Sequence, residues 1–538
     1  MRIGKCWRWI LVCAGLTAFV VAQVGESSAM RQVQEGVRLA SQGSGSQAMA
    51  IAEQVLGKNP KFVPALKLKG MLLEESGRPA EAGPVYEQAL ELAPNDPDLL
   101  LKTGVFKLAT GKQEEAVRLL QKCTRIIPND GDANFYLAQA YHLAEKDELA
   151  LGAIRKALKA EPENAPVWQK YGELLCGTGD CEGGLKWLVK ARNADASLPR
   201  IDFDIAATQY KLMDLAGASE AAARAVAARP NDVAALQLLA TVDVKLARWE
   251  EAESAFERVR ALKGDDVETL LGIGQCQLEL KKYEAAIATI EAALKADPTR
   301  LLGHFYLSKA YAGLGKNDEA QHEAALHQLM MEHVTFVRSV ESEQREAPIK
   351  AQTEKLLAAH RENEALQLYQ RHFKGTSQTL GDSYVFVGKT YLFMGKTEDG
   401  LRCLRQALKI EPSARGAHTY EGILALKEND LERAEREFQA ELANDPSSQL
   451  AIAEMGEVRY HQQKWADAAD YLAKSRTMTP ELLYMLCDSY FRLGKVDDAN
   501  LNAEAAAAYA RNKPGVMRGL IELLNRNGQG ELAKRLGS

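Results

Sequence analysis

A chain of 538 residues is longer than one hydrophobic core can serve, so it has to be several domains or one repetitive array. With 26% charged and 46% apolar residues, and 17 prolines spread along the whole length, the composition excludes a disordered chain. The formal net charge of −6 argues against a polyphosphate partner such as nucleic acid.

Residues 1–22 stand apart from the rest. Arg2, Lys5 and Arg8 lead into an apolar run over 9–22 that holds no acidic residue, followed by small residues before Gln23. That layout predicts a signal peptide. The run falls short of the roughly 20 residues that cross a bilayer, so cleavage is expected, with retention as an inner-membrane anchor the alternative. The mature chain is then periplasmic or extracytoplasmic, with no membrane span, and losing three positive charges takes its net charge to −9. Its six cysteines, at 123, 176, 181, 276, 403 and 487, are too few and too scattered for a disulfide framework.

From residue 29 onward the prolines set a period. Pro60, Pro94, Pro128 and Pro162 are each 34 residues apart, and Pro230 and Pro298 fall on the same grid. Units beginning at 29, 63, 97, 131, 165, 199, 233, 267 and 301 follow. Their eighth place is small (Gly36, Gly70, Gly104, Ala138, Gly172), and their twentieth is alanine or glycine (Ala48, Ala82, Ala116, Ala150, Gly184). Small residues at such spacing predict two helices that cross closely. Gly43, Gly77, Gly111, Gly179 and Gly315 at the fifteenth place predict left-handed helix ends, and Pro-Asn-Asp at 94–96, 128–130 and 230–232 closes one helix and caps the next.

The register breaks after 334 in a polar stretch that still reads as helix. It returns at 381, 415, 449 and 480 with Gly388, Gly422, Gly456 and Cys487 at the eighth place. The expected organisation is a nine-repeat array over 29–334, a helical linker over 335–345, a five-repeat array over 346–512, and a capping helix or tail over 513–538.

This unit resembles the tetratricopeptide repeat family, whose 34 residues favour Tyr at place eleven, Ala at twenty and Pro at thirty-two. Leu137, Ala138, Tyr141, Ala150, Ala157 and Pro162 show the pattern well, whereas Ala196 and Gly264 replace the closing proline. The resemblance covers nearly all of the mature chain. It implies an all-α solenoid, a right-handed superhelix of antiparallel helix pairs, whose first helices line a concave groove that holds a peptide or partner helix.

Places four, seven, eight and eleven share one helix face, while two, five, nine and twelve lie about 140° away and are free. The free places hold Lys67, Phe135, Gln139, His142, Phe305, Lys309, Lys389, Tyr460 and Tyr484, with Tyr136, Tyr306, Phe386, Phe393 and Tyr420 on the neighbouring edge. These form the expected protein-binding groove, since rigid rings give contact area at little entropy cost. The competing reading is that many of them pack against the next repeat. A carboxylate clamp of the kind some family members use is missing, because Met71 follows Lys67 and Asp204 follows Arg200 where amide and base are wanted.

Catalytic chemistry finds little purchase. His322, Glu323 and His327 are spaced one residue too far apart to share a metal from one helix face, with His333 further on, so no metal site is expected. Cys176 and Cys181 flank a turn, where an oxidising compartment would allow a disulfide; the alternative is one buried and one exposed thiol. No phosphate-cradling glycine loop or nucleophile elbow occurs. The expected protein is a non-enzymatic, cofactor-free scaffold of the cell envelope that binds protein partners. An accessory role in envelope polysaccharide synthesis or secretion is the first alternative, and an RNA-binding helical repeat the second.

Overall fold

A computed structural model of the chain describes residues 28–339, 341–374, 378–476 and 479–537. The expected signal peptide at 1–22 lies outside them. Thirty α-helices and no strand occur among the described residues, and the helices follow one another as antiparallel hairpins. The packing divides into two units, Met1–Leu246 and Ala247–Ser538.

The first unit contains the hairpins α1 (Ser28–Ser41) with α2 (Gly45–Lys58), α3 (Val63–Glu75) with α4 (Pro79–Leu92), and α5 (Pro97–Ala109) with α6 (Gln113–Ile126). It continues with α7 (Gly131–Leu143) and α8 (Asp147–Ala160), α9 (Ala165–Gly177) and α10 (Cys181–Ala194), α11 (Ile201–Lys211) and α12 (Leu215–Ala228), and ends on α13 (Val233–Lys245). The second unit opens with α14 (Trp249–Lys263), then α15 (Val267–Glu279), α16 (Tyr283–Ala296), α17 (Leu301–Gly313) and α18 (Asn317–Ser339). After these come α19 (Glu341–Ala358), α20 (Glu362–His372), α21 (Leu380–Phe393), α22 (Thr397–Ile410), α23 (Ala417–Lys427) and α24 (Leu431–Asn444). The chain closes with α25 (Gln449–His461), α26 (Trp465–Lys474), α27 (Pro480–Arg492), α28 (Val496–Tyr509), α29 (Pro514–Arg526) and α30 (Gly530–Gly537). The tail is therefore a further hairpin, turned at Gly528, rather than a single capping helix.

The small eighth place exists because the twenty-fourth side chain lies over it. A Cβ on Gly70 would come within 2.5 Å of the Tyr86 ring, one on Gly104 within 2.7 Å of Leu120, and one on Gly422 within 2.5 Å of Phe438. At two places where the eighth residue is larger than glycine the twenty-fourth is alanine: Ala206 shares its cluster with Ala222, and Cys487 with Ala503. At the α9–α10 crossing two glycines meet, and a Cβ on Gly184 would sit 2.6 Å from the Gly172 carbonyl oxygen.

The Pro-Asn-Asp signals work as read. Asp96 accepts from the Asp98 and Leu99 amides at 3.0 and 3.2 Å, and Asp130 accepts from Ala133 at 2.7 Å, satisfying first-turn donors that have no helical partner. At the joints without proline a left-handed residue ends the run instead, Gly264 at φ 87° and Arg200 at φ 64°.

Within each unit the first helices of neighbouring hairpins touch. In the first unit α1 meets α3, and α9 meets α11; in the second α15 meets α17, and α25 meets α27. Among the described residues the second helices of successive hairpins pack together closely only at α28 and α30. Each unit therefore curves with its first helices inside, which is where the expected groove residues sit.

Candidate protein-binding surface

On the inner face of the first unit, Lys67 reaches across to the next hairpin, with its Nζ 2.7 Å from Asp98 and 3.2 Å from Asp96. Burial alone would depress this ammonium, but the two carboxylates outweigh it and hold its pKa above the usual lysine value. Lys67 therefore orders neighbouring repeats. Phe135 and Tyr136 meet edge to face at 5.3 Å and pack, partly buried, on the core around Leu137 and Ile154. Gln139 is half-buried on the same helix. His142 lies at the hairpin end, where its Nδ1 meets the Asp147 carboxylate at 2.7 Å.

In the second unit, Phe305 stands between Tyr306 (5.9 Å), His327 (5.6 Å) and the exposed Lys309, whose Nζ is 4.5 Å from the ring centre. That geometry suits a cation–π contact. Phe386 differs from expectation: it is 2% exposed and packs 5.0 Å from Tyr369, so the preceding hairpin consumes it and no ligand can reach it. Lys389 is paired with Glu346. Phe393, in contrast, is 67% exposed with Lys350 Nζ 5.4 Å from its ring. Tyr420 is half-buried beside Val385 and Leu404. Tyr460 donates to Asp488 at 2.9 Å, and Tyr484 is partly buried, with both phenols raised above their usual pKa chiefly by burial.

Each unit thus brings part of the sequence-derived set together on its inner face. Phe305, Lys309 and Phe393 keep reachable surface there, while Lys67, Lys389 and Phe386 are engaged by neighbouring hairpins.

Sequence reasoning missed a lattice of polar links between successive hairpins. Lys67 with Asp96, Lys102 with Glu74, Lys282 with Glu253, Tyr391 with Glu362 and Tyr460 with Asp488 are all 28 or 29 residues apart. Complementary polar pairs at that offset were the available signal. It also missed two unusual carboxyls. Burial first, and Glu173 second, push Asp204 up to about 7, although Gln169 donates to it at 2.6 Å. Burial and Glu457 push Glu454 up to about 7 as well.

The histidine helix resolves into separate contacts. His322 Nε2 lies 3.1 Å from Glu504, Glu323 bonds His304 at 2.7 Å, and His327 Nδ1 meets the Leu301 carbonyl at 3.0 Å. The side chain of His333 is outside the described residues. Cys176 and Cys181 are joined by a disulfide across the α9–α10 turn, their Cα atoms 3.8 Å apart. Burial pushes the Cys123, Cys276 and Cys403 thiols up to about 12, which keeps them protonated and unreactive.

Family models described as tetratricopeptide repeat match residues 33–97, 238–300, 388–449 and 421–481, and a second such model matches 73–140. The chain is a tetratricopeptide-repeat protein. One relative of this repeat protein is the type IV pilus assembly protein PilF of Pseudomonas aeruginosa, 28% identical over 148 residues, which are 27% of this chain. The match spans 59% of that relative's length. Among solved structures, P. aeruginosa PilF aligns with 40% of this tetratricopeptide chain and 97% of its own, at 21% identity and a TM-score of 0.36. PilW, a type IV pilus biogenesis factor, aligns with 37% and 92% at 20% identity and 0.35. YrrB, a tetratricopeptide protein described as having an unusual peptide-binding site, aligns with 34% and 95% at 18% identity and 0.29.

Proposed function

We propose that this tetratricopeptide protein is a non-enzymatic scaffold of the cell envelope, exported behind residues 1–22, that holds protein or peptide partners against the inner face of its first helices. The observation that carries this reading is the reachable aromatic and cationic surface on those helices: Phe393 with Lys350, and Phe305 with Lys309 and Tyr306. Phe393 is 67% exposed, so its ring is open to a partner and not consumed by a neighbouring hairpin. Rigid rings beside mobile cations suit an extended peptide with apolar and acidic side chains. A second reading, an accessory to the assembly of an envelope secretion or polysaccharide machine, draws support from a relative named for pilus assembly.

The test is affinity purification from source cells of the intact protein and of a Phe305→Ala/Phe393→Ala variant, after in-cell crosslinking. Partners present with the parent and lost with the variant support the groove, and identical partner sets refute it. Amino-terminal sequencing of the purified protein reads the cut: a start at Gln23 supports export with cleavage, and a start at Met1 refutes cleavage.

A further inference from the structure

The last helices of the second unit do not end in solvent. Helix α28 packs against α18, a helix more than 150 residues earlier in the chain. Leu326 and Met330 of α18 are buried in one cluster with Cys487 of α27, Ala503 and Ala506 of α28, and Leu520 of α29. The second helix of a stacked hairpin would normally keep its outer stripe in solvent. Here Ala505, Ala506, Ala507 and Ala508 are all buried in sequence, so α28 is covered on nearly every side.

Polar contacts fasten the same junction. The Arg511 guanidinium donates to the carbonyl oxygens of Lys295, at 2.5 Å, and Ala296. Those carbonyls end helix α16, lack helical partners, and carry the negative pole of its dipole, so a cation there is doubly favoured. The Glu504 carboxylate of α28 lies within ion-pair distance of His322 Nε2 of α18, at 3.1 Å, and of Arg535 of α30, at 2.5 Å.

We propose that α27–α30 form a clasp that closes the second unit onto α16–α18, and that His322 against Glu504 is a proton-dependent fastener whose loss opens the unit. This rests on the junction itself, independently of what the inner face binds. The interface suits reversible release, because its apolar part is small-residue packing around two larger side chains, while two charged contacts cross it: Arg511 on the α16 carbonyls and His322 beside Glu504.

The charged groups that face His322 are Glu504 from α28, Arg535 from α30 and Glu323 from its own helix, the last already bonded to His304 of α17. Glu504 raises the His322 pKa against burial, and Arg535 opposes it. The closed state therefore holds the proton more tightly than the open one. Closure is favoured at a pH below the ordinary histidine value, and that contribution disappears as pH rises through the raised value.

Double electron–electron resonance on the full chain tests the clasp, with spin labels at Gln321→Cys and Lys534→Cys, both exposed positions, and an unlabelled-background control for the natural thiols. At pH 6 the parent should give one narrow short distance, and at pH 8.5 a longer population should appear beside it. H322Q should lose this pH response, and R511A/E504Q should show the longer population at both pH values with unchanged helical circular dichroism. A parent with widely separated labels at pH 6, or no longer population in R511A/E504Q, overturns the clasp. A pH-independent distribution in the parent overturns the His322 fastener even if R511A/E504Q opens.

Discussion

Fifteen turns between consecutive helices share one left-handed backbone position, yet only eight of them hold glycine. Glu145, Met213, Ala247, Lys281, His360, Asn429 and Gln463 occupy the others at φ 56° to 61°. The glycines made the turn legible in the sequence. The remaining seven were not legible, because tertiary packing of two long helices overrides a local penalty of about 1 kcal/mol. Met213 is 69% exposed, so its side chain contributes little packing. Met213→Gly should therefore raise stability by about 0.5–1 kcal/mol, read as a higher urea midpoint; a lower midpoint would show that the side chain matters there. The twentieth place behaves oppositely. Ala150 is fully buried at the α7–α8 crossing, and Ala150→Leu should cost about 1 to 3 kcal/mol by overpacking, with an unchanged midpoint contradicting the assigned register. Phe386 marks the limit of reading faces from a helical wheel. It shares an edge with Phe393, but the hairpin before it buries one ring and leaves the other open.

Between elements, the joint from α9 to α11 gathers Gln169, Lys170, Glu173 and Asp204. Gln169 donates to both Asp204 (2.6 Å) and the Pro199 carbonyl (2.9 Å), fixing the turn that the missing proline leaves unspecified. Asp204 was visible in the sequence only as the wrong residue for a carboxylate clamp, since its partners depend on how far one hairpin is offset from the next. Its folded pKa of about 7 lies above the ordinary carboxyl value of 3.8, so the folded state holds a proton that the unfolded state has released between those two values. Stability should then fall as pH rises from about 4 to above 7, the reverse of the usual salt-bridged carboxylate. Asp204→Asn should flatten that slope and be more stable than the parent at pH 8 by on the order of 1 kcal/mol. Parallel pH profiles for the two proteins in chemical denaturation would contradict this.

For the molecule as a whole, the 34-residue period carried most of the information. It gave the helix pairs, their crossings and the inner placement of the first helices, because each repeat is specified by its own residues and those of its neighbours. Contacts that leap the period were hidden. The meeting of α18 with α28 depends on curvature accumulated over nine intervening helices, and its one local trace was the run of buried alanines in α28. The binding surface fell between these cases: its helices were legible, whereas which side chains stay reachable depended on those same accumulated contacts.

Partner docking on the inner face of the first helices can be read residue by residue. Its most direct test is site-specific photo-crosslinking in source cells, with benzoylphenylalanine in place of Phe135, Phe305 or Phe393 on first helices and in place of Arg118 or Lys409, exposed on second helices. Docking on the inner face should give discrete higher-mass adducts from the first-helix positions and none from the second-helix positions; adducts confined to Arg118 or Lys409 would place the partner on the outer helices instead.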